Sequence, residues 1–189
     1  KECHDKGLDP LQIMVDFCRA NEIEIFMSMR MNDIHDAYPQ WPELLSQFKK
    51  DHPELLFGSR EEPPAYGFWS GLDYGWPVVQ QRAFQLLEEV CRRYDVDGIE
   101  LDWMRFCHMF KRSEAVQNTP LLTDFMVEMR SVLDQAAKKR GRDKLLLGVR
   151  VPPTIEECRL LGFNLKAWVQ QRLVDFICPM DFAFTDYNT

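Results

Sequence analysis

Hydrophobic positions along the chain follow two spacings, one helical and one extended. Apolar residues recur every three to four positions over residues 79–94 and 122–136, which predicts two long amphipathic helices. Shorter helices are predicted after Asp9, around Leu44, Leu45 and Phe48, after Thr154 and after Asn164. Short apolar runs over residues 23–31, 97–103, 144–151 and 176–180 predict four buried strands.

The predicted helices and strands alternate along the chain, and the strands are apolar on both faces. This order is typical of parallel strands joined by right-handed helical crossovers. Two folds fit it, an open doubly wound sheet and a (β/α)8 barrel, and the lack of a nucleotide-binding glycine fingerprint after any strand favours the barrel. A full barrel needs about 250 residues. We therefore expect residues 1–189 to form a single domain that is the interior part of a larger TIM barrel.

Composition and charge exclude several classes of protein. The chain is 46% hydrophobic, which excludes disorder, and it has no apolar run near the roughly 20 residues that span a bilayer. With 30 acidic and 23 basic side chains it carries a net charge of −7, which disfavours binding to nucleic acid. The basic cluster at residues 138–142 is interpreted as a solvated helix end.

The six cysteines do not form a Cys-x-x-Cys pair, so a zinc knuckle or a thioredoxin-type site is not expected. They leave the compartment open. A periplasmic or secreted location is favoured only if the substrate is a polysaccharide, and the oligomeric state is not predicted.

The strand at residues 97–103 ends in two acids. Because side chains alternate along a strand, Glu100, Asp102 and Met104 should share one face, while the apolar residues between them meet the helices. Two acids in one buried row repel each other and shift their pKa values apart, which suits acid–base or nucleophilic work on an acetal. The alternative is a structural ion pair with Arg105 or Arg150.

The first strand ends in a second polar group. Arg30 and Asn32 should share a face, where a guanidinium and an amide could hold sugar hydroxyls or a carboxylate. Asp33, His35 and Asp36 follow in the loop and could bind a metal, although a loop capped by its own Asp side chains is the more ordinary interpretation.

Two further features could contact a ligand. Asp181 ends the last predicted strand, where Arg150 from the preceding strand could lie beside it; a local turn or helix cap is the alternative. The loop at residues 57–77 is rich in aromatic residues, and Trp69 and Trp76 could stack on the apolar faces of sugars. A loop core that packs on itself is the alternative there.

These motifs resemble those of known sugar-acting enzymes. Residues 97–103 resemble the fourth-strand motif Asp-Gly-x-Asp-x-Asp-x-Glu of family 18 glycoside hydrolases, and residues 178–182 resemble its Met-x-Tyr-Asp. Met104 stands where that family has its acidic Glu. Residues 101–105 are similar to the α-galactosidase type, a resemblance that implies Asp102 as nucleophile.

A broader resemblance is to the glycosyl hydrolase-like 10 group of bacterial barrels, through the phrases at residues 48–53 and 94–102. Together these resemblances imply a hydrolase of poly- or oligosaccharides that uses paired carboxylates and no cofactor. Asp102 would be the nucleophile or an electrostatic stabiliser, and Glu100 a partner acid or an orienting group. The residues expected to bind substrate are Arg30, Asn32, Asp33, His35, Trp69, Trp76, Arg105, Arg150 and Asp181. A non-catalytic carbohydrate-binding barrel and a metal-dependent hydrolase remain as alternatives.

Overall fold

The computed structural model describes residues 2–104 and 106–181, and its centre is a parallel β-sheet. The strands are β1 (Phe26–Arg30), β2 (Gly98–Asp102), β3 (Leu146–Val151) and β4 (Phe176–Pro179). They lie in the order 1-2-3-4, and each pairs in parallel with its neighbour in sequence. A doubly wound sheet reverses its strand order at a switch point, whereas sequential order is that of a (β/α)8 barrel. The structure therefore confirms the predicted partial barrel.

Helices precede, connect and flank these strands. They are α1 (Glu2–Asp5), α2 (Pro10–Ala20), α3 (Gln47–Asp51), α4 (Pro77–Arg93), α5 (Thr119–Lys139), α6 (Ile155–Leu160) and α7 (Leu165–Gln170). Three short 3₁₀ helices cover His35–Ala37, Pro42–Leu44 and Pro53–Leu55. Within residues 2–104 and 106–181, the helices all lack the combination of length and apolar composition that crossing a bilayer requires.

The helix predicted around Leu44, Leu45 and Phe48 is in fact two short pieces. A 3₁₀ turn ends at Leu44, and α3 begins three residues later. The side chain of Ser46 separates them, because its hydroxyl accepts a hydrogen bond from the backbone amide of Lys49 at 3.3 Å and so caps a new helix.

The main hydrophobic core lies between the sheet and helices α4 and α5. As predicted, Ile99, Leu101 and Trp103 are fully buried on this side of β2. Met104 is also buried in this core, which corrects the prediction that it shares a face with Glu100 and Asp102. Strand β2 ends at Asp102, so the alternation of faces stops before Met104.

The opposite, inner face of the sheet is closed at its amino end by two aromatic rings. Phe26 and Phe176 come from the two outer strands, and their ring centroids lie 5.6 Å apart at an angle of 81°. Gly98 and Gly148 lie beneath these rings on the central strands. A Cβ atom at Gly98 would lie 2.5 Å from the Phe26 ring, and one at Gly148 would overlap the Phe176 ring. The glycines therefore make room for a floor of aromatic side chains.

The basic cluster at residues 138–142 lies at the end of helix α5, as predicted, but Arg140 and Arg142 are half-buried and are not simply solvated. Arg140 donates hydrogen bonds to the carbonyl oxygens of Cys91, in the last turn of α4, and of Tyr94, just beyond it. Arg142 donates to a carboxylate oxygen of Asp97 at 2.8 Å. These cations join α5 to the segment that leads into β2.

Candidate active site

Charged side chains form one row across the inner face of the sheet at its carboxyl end. The residues in mutual register are Arg30, Asp102, Arg150 and Cys178, one from each strand. Glu100 lies one step nearer the amino end, in register with Ser28. The sheet therefore brings both predicted acids and two predicted arginines together.

Glu100 is buried, with 7% of its surface exposed, and its carboxylate is fully engaged. Nη2 of Arg150 donates to both carboxylate oxygens, at 2.9 and 3.1 Å, and Nε of Arg150 lies 3.2 Å from the first. The hydroxyl of Ser28 donates a further bond at 2.8 Å. Charge-assisted bonds of this kind are shorter and stronger than neutral ones, and they hold the carboxylate in place. Glu100 is thus part of an ion pair with Arg150, the structural alternative that the sequence left open.

Asp102 has weaker partners than Glu100. Its Oδ1 accepts a hydrogen bond from the backbone amide of Met104 at 3.1 Å. The nearest guanidinium nitrogens, Nε of Arg150 and Nε of Arg30, lie 3.6 and 3.9 Å from its oxygens, beyond hydrogen-bond distance. Burial raises the pKa of Asp102 above its ordinary value, although the Met104 amide and the two arginines oppose the rise. This carboxylate therefore keeps acceptor capacity that a ligand could use.

Arg30 lies between Asp102 and a second acid. Its Nη1 is 3.6 Å from Oδ1 of Asp33, and the same oxygen contacts Nδ1 of His35 closely. Burial raises the pKa of Asp33, but the bond to His35 and the charges of Arg30 and Lys49 outweigh it and lower the pKa overall. Arg30, Asp33 and His35 are thus placed together at the end of β1, as the sequence predicted.

Asp36 is separated from this group and does not form a metal site with it. Its carboxylate is buried, and it accepts hydrogen bonds from Nζ of Lys49 at 2.7 Å and from the Ser70 hydroxyl at 2.5 Å. Across the described residues, His, Cys, Asp and Glu side chains do not gather in a group of three or more that could hold a metal ion. The metal-dependent alternative therefore lacks a ligand set in this part of the chain.

Asn32 joins the loops that follow β1 and β2 through hydrogen bonds of its side-chain amide. It is buried, and its amide nitrogen donates to the carbonyl oxygens of Leu72 at 2.9 Å and of His108 at 3.0 Å. Its amide oxygen accepts from the backbone amide of Leu72 at 2.9 Å. All three bonds join Asn32 to the backbone of these loops, and its role in holding sugar hydroxyls stays a prediction.

The two predicted stacking residues, Trp69 and Trp76, have different surroundings. The indole of Trp69 packs within its loop, where its Nε1 donates to the carbonyl of Ala37 at 3.4 Å and Arg60 lies 5.3 Å from the ring centroid. Trp76 directly precedes α4 and is 47% exposed. Within the described residues, neither indole makes a hydrogen bond, ion pair or ring contact with the charged row.

Aromatic rings from the loops that follow β1 and β2 contact one another, and of these His35 and the loop at residues 57–77 were singled out from the sequence. A cluster of contacting rings is formed by His35, Tyr38, Trp41, Phe68 and Phe106. A cavity of about 590 Å³ lies between the loops that follow β1 and β2, and its walls include Tyr66, His108, Phe110 and Arg112. Alternation within a strand could not find these residues, because they lie in loops.

The remaining predicted residues are less informative. Asp181 is exposed, two positions beyond the end of β4, and Arg105 lies outside the described residues. Cys178 was not predicted as a site residue, but it stands in the row beside Arg150. Burial and the neighbouring Glu100 raise the pKa of its thiol.

Comparison with known proteins gives a family and a fold for this chain. The model of the glycosyl hydrolase-like 10 family matches residues 1–118 of the chain. A comparison with curated proteins finds no match.

Among solved structures, the chain is similar to the class V chitinase from Nicotiana tobaccum, with a TM-score of 0.52 and 15% identity over 93% of this chain and 38% of that one. It is also similar to a mutant family 18 chitinase from Cycas revoluta in complex with (GlcNAc)4, with a TM-score of 0.51 and 14% identity over 94% of this chain and 43% of that one. The chain therefore spans about two-fifths of these structures, and the likeness shows a shared barrel fold.

Proposed function

The chain belongs to the glycosyl hydrolase-like 10 family, and from this premise we propose that it is the interior part of the (β/α)8 catalytic domain of a glycoside hydrolase. The sequential order of the parallel strands supports the barrel. The extent of the chain supports its being one part of that barrel, since it spans 38% and 43% of the two chitinases that it resembles.

In this proposal, Asp102 is the carboxylate that acts on the sugar. The observation that carries the proposal is its position: it ends β2 on the inner face, which is where catalytic groups lie in barrel enzymes. Asp102 also retains unused acceptor capacity, because its arginine neighbours are 3.6 and 3.9 Å away. It would attack the anomeric carbon, or stabilise the positive charge that develops there in an oxocarbenium-like transition state.

Glu100 is assigned an orienting role. Both oxygens of its carboxylate already accept hydrogen bonds from Arg150 or Ser28, which leaves them poorly placed to reach a leaving group. It holds the Arg150 guanidinium beside Asp102 instead, and Arg150 is then placed to contact sugar hydroxyls together with Arg30. A second catalytic carboxylate would come from elsewhere, either Asp181 or a residue outside this chain.

The substrate is proposed to be an oligo- or polysaccharide. The Cycas revoluta chitinase is bound to (GlcNAc)4, so a barrel of this kind can hold a sugar chain of that length. In the present chain, the cavity of about 590 Å³ could hold a neighbouring sugar unit, with the ring of Tyr66 on one wall.

The test replaces Asp102 by Asn in the intact protein that contains this chain. Because the negative charge at the anomeric centre is lost, release of reducing ends from a panel of oligosaccharides should fall by about 10³-fold or more. An Asp124→Asn variant is the matched control, since Asp124 is exposed on helix α5, and it should retain wild-type activity. Hydrolysis that survives the Asp102→Asn change would contradict the proposal.

A second candidate function is carbohydrate binding without hydrolysis. Two observations favour it: Glu100 is already neutralised by Arg150, and Met104 is buried in the core where related motifs have an acid. Isothermal titration against the same oligosaccharides would show binding to wild-type protein with no release of reducing ends over days. Turnover that depends on Asp102 would exclude this candidate.

A further inference from the structure

The phrase at residues 48–53 contains a lysine that is almost completely buried. The Lys49 side chain is 8% exposed, and that of its partner Asp36 is 6% exposed. Nζ of Lys49 donates to Oδ2 of Asp36 at 2.7 Å and to the carbonyl oxygen of Asp33 at 2.8 Å. The other oxygen of Asp36 accepts the hydroxyl of Ser70 at 2.5 Å. Lys49 therefore joins helix α3 to the turn after β1, and Asp36 joins that turn to the aromatic loop at residues 57–77.

Burial of this ion pair is not an efficient source of stability. Removing two charges from water costs about as much as their attraction returns, and apolar side chains of the same volume often stabilise a core as well or better. The Lys49–Asp36 pair therefore has a clearer role if it fixes the position of the groups that it contacts. Both hydrogen bonds of Lys49 end on the turn that contains Asp33 and Asp36.

That turn leads back to the charged row. Asp33 lies 3.6 Å from Nη1 of Arg30, and Nε of Arg30 lies 3.9 Å from Asp102. A cavity of about 240 Å³ is lined by polar and apolar side chains, and the charged ones are Arg30, Asp33, Asp36, Lys49 and Arg82. The buried ammonium is thus linked to the backbone of Asp33 by a hydrogen bond. The Asp33 side chain is linked through Arg30 to the proposed catalytic carboxylate by two charge contacts.

We propose that Lys49 is a positioning residue for Asp102: it fixes the turn, so that Asp33 holds the Arg30 guanidinium beside the Asp102 carboxylate. The inference rests on the proposed function only for the catalytic role of Asp102. The proposed positioning role of Lys49 gives the motif at residues 48–53 a function that the proposed sugar chemistry did not assign to it.

The experiment removes the buried pair as a unit, so that no charge is left uncompensated. The triple variant Lys49→Met, Asp36→Leu, Ser70→Ala replaces it with apolar groups and is expected to fold. Urea unfolding checks the fold. The readout is the carboxyl ¹³C titration of Asp102 in the intact protein that contains this chain, assigned by its absence in Asp102→Asn. The charged and titratable groups around Asp102 are Arg30, Glu100, Arg150 and Cys178, one on each strand.

The expected result is an upward shift of the Asp102 titration midpoint, because Arg30 is no longer held close. Arg30→Met alone should also raise the Asp102 midpoint. Adding the three substitutions to Arg30→Met should not raise it further, because both changes interrupt the same contacts between Lys49 and Asp102. An unchanged midpoint in the triple variant would overturn the proposal, and so would a full additional shift in the Arg30→Met background.

A second variant covers the case in which the triple variant fails to fold. Lys49→Arg keeps the charge, but a planar guanidinium cannot occupy the site of an ammonium with the same two bonds. It should also shift the Asp102 midpoint upward, and an unshifted midpoint would count against positioning by Lys49. In the intact protein, kcat should fall about 10- to 100-fold in either variant. If the wild type shows no hydrolysis, the proposed function fails, while the titration still decides the role of Lys49.

Discussion

Asp97 and Asp102 flank the same strand at its two ends, and their surroundings differ. Asp97, at the amino end, accepts hydrogen bonds from Arg142 at 2.8 Å and from the Ile25 amide at 2.8 Å, and it lies 2.9 Å from a nitrogen of Arg19. Burial raises the pKa of Asp97, but these partners outweigh it and lower the pKa overall. For Asp102 the balance is reversed, since its arginines are more distant and burial raises its pKa.

The amino-end arrangement recurs on the neighbouring pair of strands. Asp175, just before β4, accepts a bond from the backbone amide of Leu147 at 2.8 Å and pairs with Arg130 at 3.1 Å and with Lys144. Both acids accept a backbone amide from the preceding strand or the residue just before it. Each also pairs with one cation from a helix, Arg19 or Arg130, and with one from the segment after α5, Arg142 or Lys144. The difference teaches that carboxylates at the amino end join strands, whereas Asp102 at the carboxyl end keeps capacity for a ligand.

The largest expected effect follows from removing Asp97. Asp97→Ala removes the acceptor of the Ile25 amide and one partner each of Arg19 and Arg142, which keep their contacts with Asp95. The free energy of unfolding should therefore fall by about 3 kcal/mol. Asp102→Asn, which keeps the bond from the Met104 amide, should change it by less than about 1 kcal/mol. Urea denaturation at pH 7 measures both. Equal losses from the two substitutions would contradict the contrast between the ends of β2.

Much of this architecture could be predicted from hydrophobic periodicity. Helices α4 and α5 and the four strands each bury an apolar face, so each leaves a period in the sequence. The inner position of Glu100 and Asp102 follows from the same rule. The residue misplaced by it, Met104, lies two positions beyond the last residue of β2, where the backbone no longer alternates.

The partners of the site residues could not be predicted in the same way. The pair between Glu100 and Arg150 exists because β2 and β3 align Asp102 with Arg150, and a register depends on the packing of the whole sheet. The buried position of Lys49 was also hidden, since a lysine on a short helix is ordinarily solvated. Candidate residues could thus be found from the sequence, but their charge balance required the fold.

An intermediate effect is expected from the aromatic floor at the amino end. Gly148→Ala places a Cβ atom against the Phe176 ring, so it should lower the free energy of unfolding by about 1–3 kcal/mol. The double variant Gly148→Ala, Phe176→Leu should recover part of this loss, because the smaller side chain makes room for the methyl group. Thermal or urea unfolding measures both. A Gly148→Ala protein as stable as the wild type would show that the rings do not rest on this glycine.

The smallest effect concerns pH and separates the two aspartates by sign. The folded pKa of Asp97 is lowered, so its stabilising contribution is present above the unfolded pKa of about 3.9 and is lost as the pH falls through the folded pKa. The folded pKa of Asp102 is raised, so the folded state binds the extra proton and stability declines as the pH rises through the window above about 3.9.

Replacement by Asn should therefore act in opposite directions. Asp102→Asn should make the protein slightly more stable than the wild type at neutral pH, with the gain disappearing in acid, where both forms are uncharged. Asp97→Asn should cost stability at neutral pH, with the cost shrinking in acid. Urea unfolding at a series of pH values measures both curves. If stability changed with pH in the same way in both variants, the two ends of β2 would bind their carboxylates alike. That result would contradict the proposal that Asp102 keeps acceptor capacity for substrate.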